Sequence, residues 1–136
     1  MKHKASVVAA AWLLHACHTP PAPTFRADPA IDLNGRWSVV AVDGQRTGGG
    51  PLFWLQINPP VGFAQFGCNQ GSGPLRIERG RLVPGEWVIT TGACSGARMR
   101  FERRGFEIFS KPTAVERRAD GVRLRNERGS LDLSPR

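Results

Sequence analysis

The chain has 136 residues and a formal net charge of +8, because 19 lysines and arginines face 11 acidic residues. This length suits one domain and the 40% apolar content can build a core, which argues against a multidomain enzyme, a collagen-like repeat or a fully disordered chain. All three histidines, His3, His15 and His18, lie near the start. If that stretch lies outside the fold, the domain can use neither a Ser-His-Asp nor a Cys-His mechanism, and it cannot hold a histidine-ligated zinc.

Residues 1–16 have the pattern of a secretory signal peptide. A basic start, Lys2-His3-Lys4, precedes an apolar run that ends at Leu14, and the small residue Ala16 follows. As a helix, residues 5–16 would rise only about 18 Å, whereas a bilayer core needs roughly 30 Å. We therefore predict an exported protein rather than a membrane-spanning one.

The residues around the predicted cleavage site, Leu14-His15-Ala16-Cys17, resemble the bacterial lipobox, in which the cysteine is lipidated. His15 departs from that pattern, and the alternative is ordinary secretion with Cys17 as an incidental thiol. An odd number of cysteines favours acylation of Cys17, since Cys68 and Cys94 can then pair. His18 follows the cysteine and is not aspartate, so the resemblance implies the periplasmic face of the outer membrane.

Residues 17–31 form a predicted tether, and a single domain is predicted over residues 32–134. The tether is rich in proline, with Pro20, Pro21, Pro23 and Pro29. Such a chain is extended and semi-rigid, so it would hold the domain away from the lipid surface.

Short apolar runs alternate with turn signals from Leu33 onward, which predicts antiparallel strands. Strands are expected over residues 37–42, 52–57, 63–68, 75–78, 87–91, 114–118, 122–125 and 131–133. Turns are expected at Asp43-Gly44, Asn58-Pro59-Pro60, Asn69-Gln70-Gly71-Ser72-Gly73 and Asp120-Gly121.

One amphipathic helix is predicted over residues 97–110 and ends before Lys111-Pro112. Its projection places Glu102 on the apolar side together with Phe106 and Phe109, opposite the arginines. The fold class is therefore mainly β with one helix (α+β). We predict a small antiparallel curled sheet or barrel of about eight short strands with the helix packed against it.

This order of residues resembles the META domain family, and the match runs across residues 33–133. The positions that carry it are Leu33, Gly35, Trp37, Gly67-Cys68-Asn69, Gly71 or Gly73, Thr90, Ala93-Cys94, Glu102, Phe106, Phe109, Leu124 and Leu131-Asp132-Leu133. Gly92 and Leu75 depart from it, since the family usually has methionine at the first position and tyrosine near the second. The resemblance implies an envelope protein of β-rich fold, and it implies no biochemical activity.

Three candidates for chemistry have structural alternatives. Cys68 and Cys94 are expected to form a disulfide or a close thiol pair rather than a redox pair, which is typically more closely spaced. Asn69 either bonds its local backbone or offers an amide to a ligand. Glu102 is expected to be a buried structural carboxylate. The alternative is a catalytic acid, which the spacing disfavours because it places no second acid to work with Glu102. Thr90 is expected to be a strand residue.

The arginines suggest an anionic partner. The candidates for such a surface are Arg100, Arg103, Arg104, Arg123 and Arg125. Nucleic acid is a poor partner for an exported protein, whereas lipid headgroups or lipopolysaccharide phosphates suit arginine's bidentate contacts. The alternative is a solvated face with no partner.

Together these observations predict a non-enzymatic, lipid-anchored and stress-related envelope protein, monomeric, without cofactor or metal. It would bind or stabilise a component at the membrane–periplasm boundary. The alternative is an inhibitor or chaperone-like partner of another envelope protein, and a carboxylate-based enzyme is a third class.

Overall fold

The computed structural model describes residue 21 and residues 25–94 and 96–136, so the predicted signal peptide and Cys17 lie outside the described residues. The described part contains ten strands and one helix. In chain order these are β1 (Gly35–Val42), β2 (Gln45–Arg46), β3 (Phe53–Asn58), β4 (Val61–Phe66), β5 (Gln70–Glu78), β6 (Arg81–Pro84), β7 (Val88–Ile89), α1 (Ala97–Phe109), β8 (Thr113–Arg118), β9 (Gly121–Asn126) and β10 (Gly129–Pro135). Over the described ranges, no helix is both long and apolar enough to cross a membrane.

Eight of the strands form a closed antiparallel circuit in the order β1, β3, β4, β5, β6, β8, β9 and β10, with β10 paired back to β1. The closing register sets Trp37 opposite Pro135 and Val42 opposite Leu131. β2 forms a hairpin with β1, and β7 pairs with β5. Closure leaves no long unpaired edge on the main strands. The predicted small β fold with one helix is confirmed.

The core lies inside the barrel, where alternate residues of each strand point inward. Its fully buried members include Val39, Leu55, Phe66, Leu75, Leu82, Val115, Leu124 and Leu131. Outward neighbours such as Arg125 are exposed. In β9, Val122 and Leu124 face the core and Arg125 faces outward.

Helix α1 covers one end of the barrel. The ring of Phe101 packs against Phe53 at the start of β3, with centroids 5.6 Å apart, and Phe109 packs against Phe66 at the end of β4 at 6.1 Å. The side-chain amide of Asn126 donates to the carbonyl oxygen of Ile108 at 2.9 Å, which joins the end of β9 to the last helical turn. The helix thus seals the core at this end.

The segment before β1 lies along the barrel. The Asp28 N–H donates to the carbonyl of Val115 at 2.8 Å, and the Trp37 indole N–H donates to the carbonyl of Leu33 at 2.8 Å. Leu33 is 1% exposed. Residues 25–29 of the predicted tether are therefore in contact with the domain.

The predicted turn over residues 69–73 is wrong, because this stretch begins strand β5 from Gln70. Its glycines make room for aromatic rings. A Cβ on Gly73 would lie 2.6 Å from the Trp87 ring, and one on Gly71 would lie 2.8 Å from the Phe106 ring. The preceding strand ends at Phe66 rather than at residue 68, since Gly67 has a φ of 132° and turns the chain toward the helix.

Candidate functional site

Among the described residues, both hydrogen bonds to the Glu102 carboxylate come from Asn69. Glu102 is 7% exposed on the inner face of α1, as its helical projection predicted. One carboxylate oxygen accepts the backbone N–H of Asn69 at 2.5 Å, and the other accepts its side-chain amide at 2.8 Å. Each oxygen of this buried acid therefore has a hydrogen-bond donor, as a buried charge requires.

The amide of Asn69 also holds the loop after β7. Its Nδ2 donates to the carbonyl of Gly92 at 3.0 Å, and its Oδ1 accepts the Gly92 N–H at 2.5 Å and the Thr90 hydroxyl at 3.1 Å. The Thr90 hydroxyl in turn accepts the backbone N–H of Gln70 at 3.1 Å. One asparagine thus connects the start of β5, the helix and the loop. We call Asn69, Thr90, Gly92 and Glu102 the asparagine clasp.

The turn at Gly67-Cys68 is held by a side-chain hydrogen bond and by a disulfide. The Gln65 amide donates to the carbonyl of Cys68 at 2.8 Å, and the Trp54 indole N–H donates to Gln65 at 3.1 Å. Cys68 and Cys94 form a disulfide that joins this turn to the loop before the helix. The predicted pairing is thereby found, and it lies next to the asparagine clasp.

Two glycines of the family signature occupy positions where the backbone requires glycine. Gly35 has a φ of 111° at the start of β1, a conformation that L side chains rarely adopt. A Cβ on Gly67 would lie 2.6 Å from the carbonyl oxygen of Arg98, so the turn approaches the first helical turn closely. Gly92 and Gln65 were not predicted as site residues. Gly92 contributes only backbone groups, which no sequence pattern reports.

The polar side chains of the asparagine clasp are hydrogen-bonded within the chain. Both carboxylate oxygens of Glu102 and both amide atoms of Asn69 have hydrogen-bond partners, and the Thr90 hydroxyl has two. Among the described residues there is no group of three or more histidine, cysteine or acidic side chains that could hold a metal ion. The arrangement explains why these residue types occur at these positions.

The five arginines proposed for an anionic surface are not brought together. Arg104 binds Asp43, Glu107 and the carbonyl of Arg128, and Arg123 makes two hydrogen bonds to Asp132 at 2.6 and 2.9 Å. Hydrogen bonds to Asp43 and then to Glu107 raise the pKa of Arg104, and that to Asp132 raises the pKa of Arg123.

The other three proposed arginines have no ion pair within the described ranges. The Arg125 guanidinium lies over the ring of Phe25, 5.0 Å from its centroid. Arg100 and Arg103 are exposed on α1. Arg81 and Arg118 are exposed and also lack an ion pair there, although neither was among the proposed five.

Several surface clefts, among them the following three, border these strands and the helix. One of about 470 Å³ on the outer wall has Arg46 and Arg118 at its sides, and one of about 440 Å³ lies between the β1–β2 turn and the helix beside Arg100. The third, about 300 Å³, lies between Trp87 and Phe106 and is mainly apolar. All three are open to solvent.

The comparisons with known proteins identify the domain. A family model described as META domain matches residues 28–135. One NMR structure is 16% identical with a TM-score of 0.60, covering 74% of this chain and 88% of its own. Another, of a protein from Burkholderia xenovorans, is 19% identical with a TM-score of 0.55, covering 87% and 98%. These two likenesses concern the fold. No curated protein matches the sequence.

Proposed function

Because the chain belongs to the META domain family, we propose that it is a non-enzymatic, lipid-anchored protein of the bacterial cell envelope. It would be attached by Cys17 to the periplasmic face of the outer membrane, act under stress as a monomer, and bind or stabilise an anionic component at the membrane–periplasm boundary. Anionic lipid or lipopolysaccharide is the partner that its arginines suit.

The disulfide is the observation that carries the proposal. Cys68 and Cys94 are joined, and disulfides persist mainly in oxidising compartments such as the periplasm. The third cysteine, Cys17, then remains in a lipobox-like sequence after an apolar run. An unpaired thiol at that position is explained if it is the acylated residue.

The absence of enzymatic activity is supported by the state of Glu102. A general acid or base must be within reach of the substrate proton that it transfers. Both oxygens of Glu102 are instead occupied by N–H groups of Asn69, and the side chain is buried.

The proposal is tested by an intact mass, without reduction, of the protein purified from membranes of an expressing bacterium. The expected mass is that of a chain that starts at Cys17, carries acyl groups and lacks two further protons. A Cys17→Ser variant serves as the control and should stay unacylated. A soluble, unacylated wild-type chain with free thiols would overturn the proposal.

The alternative function, an inhibitor or chaperone-like partner of another envelope protein, is favoured by one apolar surface. Phe63 and Val88 both lie opposite Ser72 in the strand register, so they share the outer face of β4, β5 and β7. They are 43% and 78% exposed. A pull-down from envelope extract should then recover one stoichiometric protein with the wild type and lose it with Val88→Asp. Recovery of lipid alone would exclude this alternative.

A further inference from the structure

The N-terminal segment joins the barrel on one defined side. At Phe25 the chain lies against Arg125 on the outer face of β9, and three residues later Asp28 is bonded to Val115 of β8. The chain between Cys17 and Phe25 spans at most about 29 Å even when fully extended. An acyl anchor on Cys17 would therefore keep the point where the chain joins this side of the barrel within about 29 Å of the lipid.

This side carries outward-pointing arginines on three neighbouring strands. Arg81 of β6, Ala114 of β8 and Arg125 of β9 are cross-strand partners in one row, and cross-strand partners point to the same face. Ala114 is 0% exposed, because the N-terminal segment runs across this face between the two arginines. Arg118 lies on the same outer face near the end of β8 and is exposed, as are Arg81 and Arg125. We call Arg81, Arg118 and Arg125 the basic wall.

Three of the acids near the basic wall are already paired with other arginines. Asp28 lies 3.5 Å from Arg117, and Glu78 and Asp132 bind Arg76 and Arg123 at 2.8 and 2.6 Å. Glu116, whose charge acts on Arg123, and Asp32 and Asp120, which line one cleft with Arg118, offset part of this positive charge. The exposed Arg26 and Arg79 on the same side add to it. The three arginines of the basic wall have no ion pair in the described residues, so their charge is available to a partner.

The helix arginines belong to a different side. The first turn of α1 lies over the end of β4, where Gly67 meets the Arg98 carbonyl, and Phe101 packs on β3. In the circuit of eight strands, β4 is opposite β9. Arg98 is therefore carried on the side of the barrel remote from the place where the tether joins it, and Arg100 lies beside the β1–β2 turn, away from β6 and β8.

We infer that the basic wall docks on anionic phospholipid headgroups of the leaflet that holds the Cys17 anchor. This inference rests on the proposed function, since the anchor supplies the proximity. Guanidinium groups make bidentate contacts with phosphate, and basic residues beside an anionic bilayer each strengthen binding about fivefold. The barrel then lies on its β6–β8–β9 side, with the Phe63–Val88 surface and the first helical turn directed away from that contact.

Arginine modification on proteoliposomes tests the orientation. The lipidated protein is reconstituted into phosphatidylcholine vesicles with or without phosphatidylglycerol, treated with phenylglyoxal and mapped by peptide mass. On the anionic vesicles, modification of the basic wall should slow about fivefold or more. Modification of Arg98, Arg100 and Arg103 should change less than twofold, and roughly 0.5 M salt should remove the difference by screening.

Two charge-matched variants complete the experiment, with Arg79 as the reporter because it lines the same surface cleft as Arg81. Arg81→Gln/Arg118→Gln/Arg125→Gln should abolish the protection of Arg79, whereas Arg98→Gln/Arg100→Gln/Arg103→Gln should preserve it. Equal protection of both arginine sets, or protection of the helix set alone, would overturn the inference while leaving the anchor intact. An unacylated chain by intact mass of the same sample would overturn both.

Discussion

Glu102 accepts both N–H groups of Asn69, the backbone one at 2.5 Å and the side-chain one at 2.8 Å, across 33 positions of sequence. This two-point contact joins the middle of the helix to the first residue after Cys68. Because the same asparagine binds Thr90 and Gly92, three separate segments depend on one buried carboxylate.

Replacing Glu102 with alanine should lower the free energy of unfolding by about 3 kcal/mol, since two buried donors of Asn69 lose their acceptors. Glu102→Gln keeps one acceptor oxygen and should cost about half as much. Urea denaturation of the disulfide-intact protein measures both. Glu107→Gln is the control on the same helix, where the side chain is 49% exposed and pairs only at the surface, so its cost should stay below about 0.5 kcal/mol. An unchanged midpoint for Glu102→Ala would show that the clasp does not stabilise the fold.

Removing the disulfide should also destabilise the domain. Cys68 and Cys94 enclose a loop of 26 positions, for which the chain-entropy estimate is about 3.5 kcal/mol. The double variant Cys68→Ser/Cys94→Ser should unfold at a correspondingly lower urea concentration. Reductant should produce the same shift in the wild type and none in the variant. A wild-type midpoint that ignores reductant would contradict the expected role of this bond.

The sequence predicted positions along each element better than contacts between elements. Helical spacing placed Glu102 on the apolar face, but its partner Asn69 is set by how the barrel closes. Residues 69–73 were predicted as a turn from their glycines. The glycines instead make room for Trp87 and Phe106, which lie too far along the chain for a local pattern to include them.

The arginines show the same limit. Arg123 and Arg125 have identical local surroundings in an alternating strand, so the sequence assigned both to one anionic surface. The β9–β10 register sets Arg123 opposite Asp132 and Arg125 opposite Ser130. Arg123 is therefore paired with an acid, whereas Arg125 has no ion pair in the described part of the chain and lies over the Phe25 ring. Only the pairing of the strands decides which arginine is paired.

Gly105 should resist replacement even by the best helix former. A Cβ at this position would lie 2.6 Å from Cγ of Phe66, which is fully buried. Gly105→Ala gains about 1 kcal/mol of helix propensity but should still lower the free energy of unfolding, by about 2 kcal/mol, because the overpacked ring must shift. Combining it with Phe66→Leu should recover part of the loss in a double-mutant cycle. If Gly105→Ala is more stable than the wild type, the helix sits farther from β4 than described.

Arg123→Gln and Arg125→Gln form a matched pair on one strand. Arg123 makes two hydrogen bonds to Asp132, and the two side chains are only 20% and 22% exposed. Arg123→Gln should therefore lower the free energy of unfolding by about 1 kcal/mol. Arg125→Gln should lower it by less than about 0.5 kcal/mol. The pKa of Arg123 is raised by Asp132. Because the pKa of Arg123 is higher in the folded than in the unfolded state, the ion pair stabilises the fold fully below the pKa of the unfolded state. This stabilisation is lost only as the pH rises through the pKa of the folded state.

Both of those pKa values lie above the pH range in which proteins are usually handled, so the cost of Arg123→Gln should be the same at about pH 6 and about pH 9. Thermal or urea unfolding of both variants at the two pH values measures it. Added salt should reduce the cost only in part, because the pair is half-buried. Equal costs for the two variants would show that Arg123 is as free as Arg125, and the charge that faces the lipid would then have to be assigned anew.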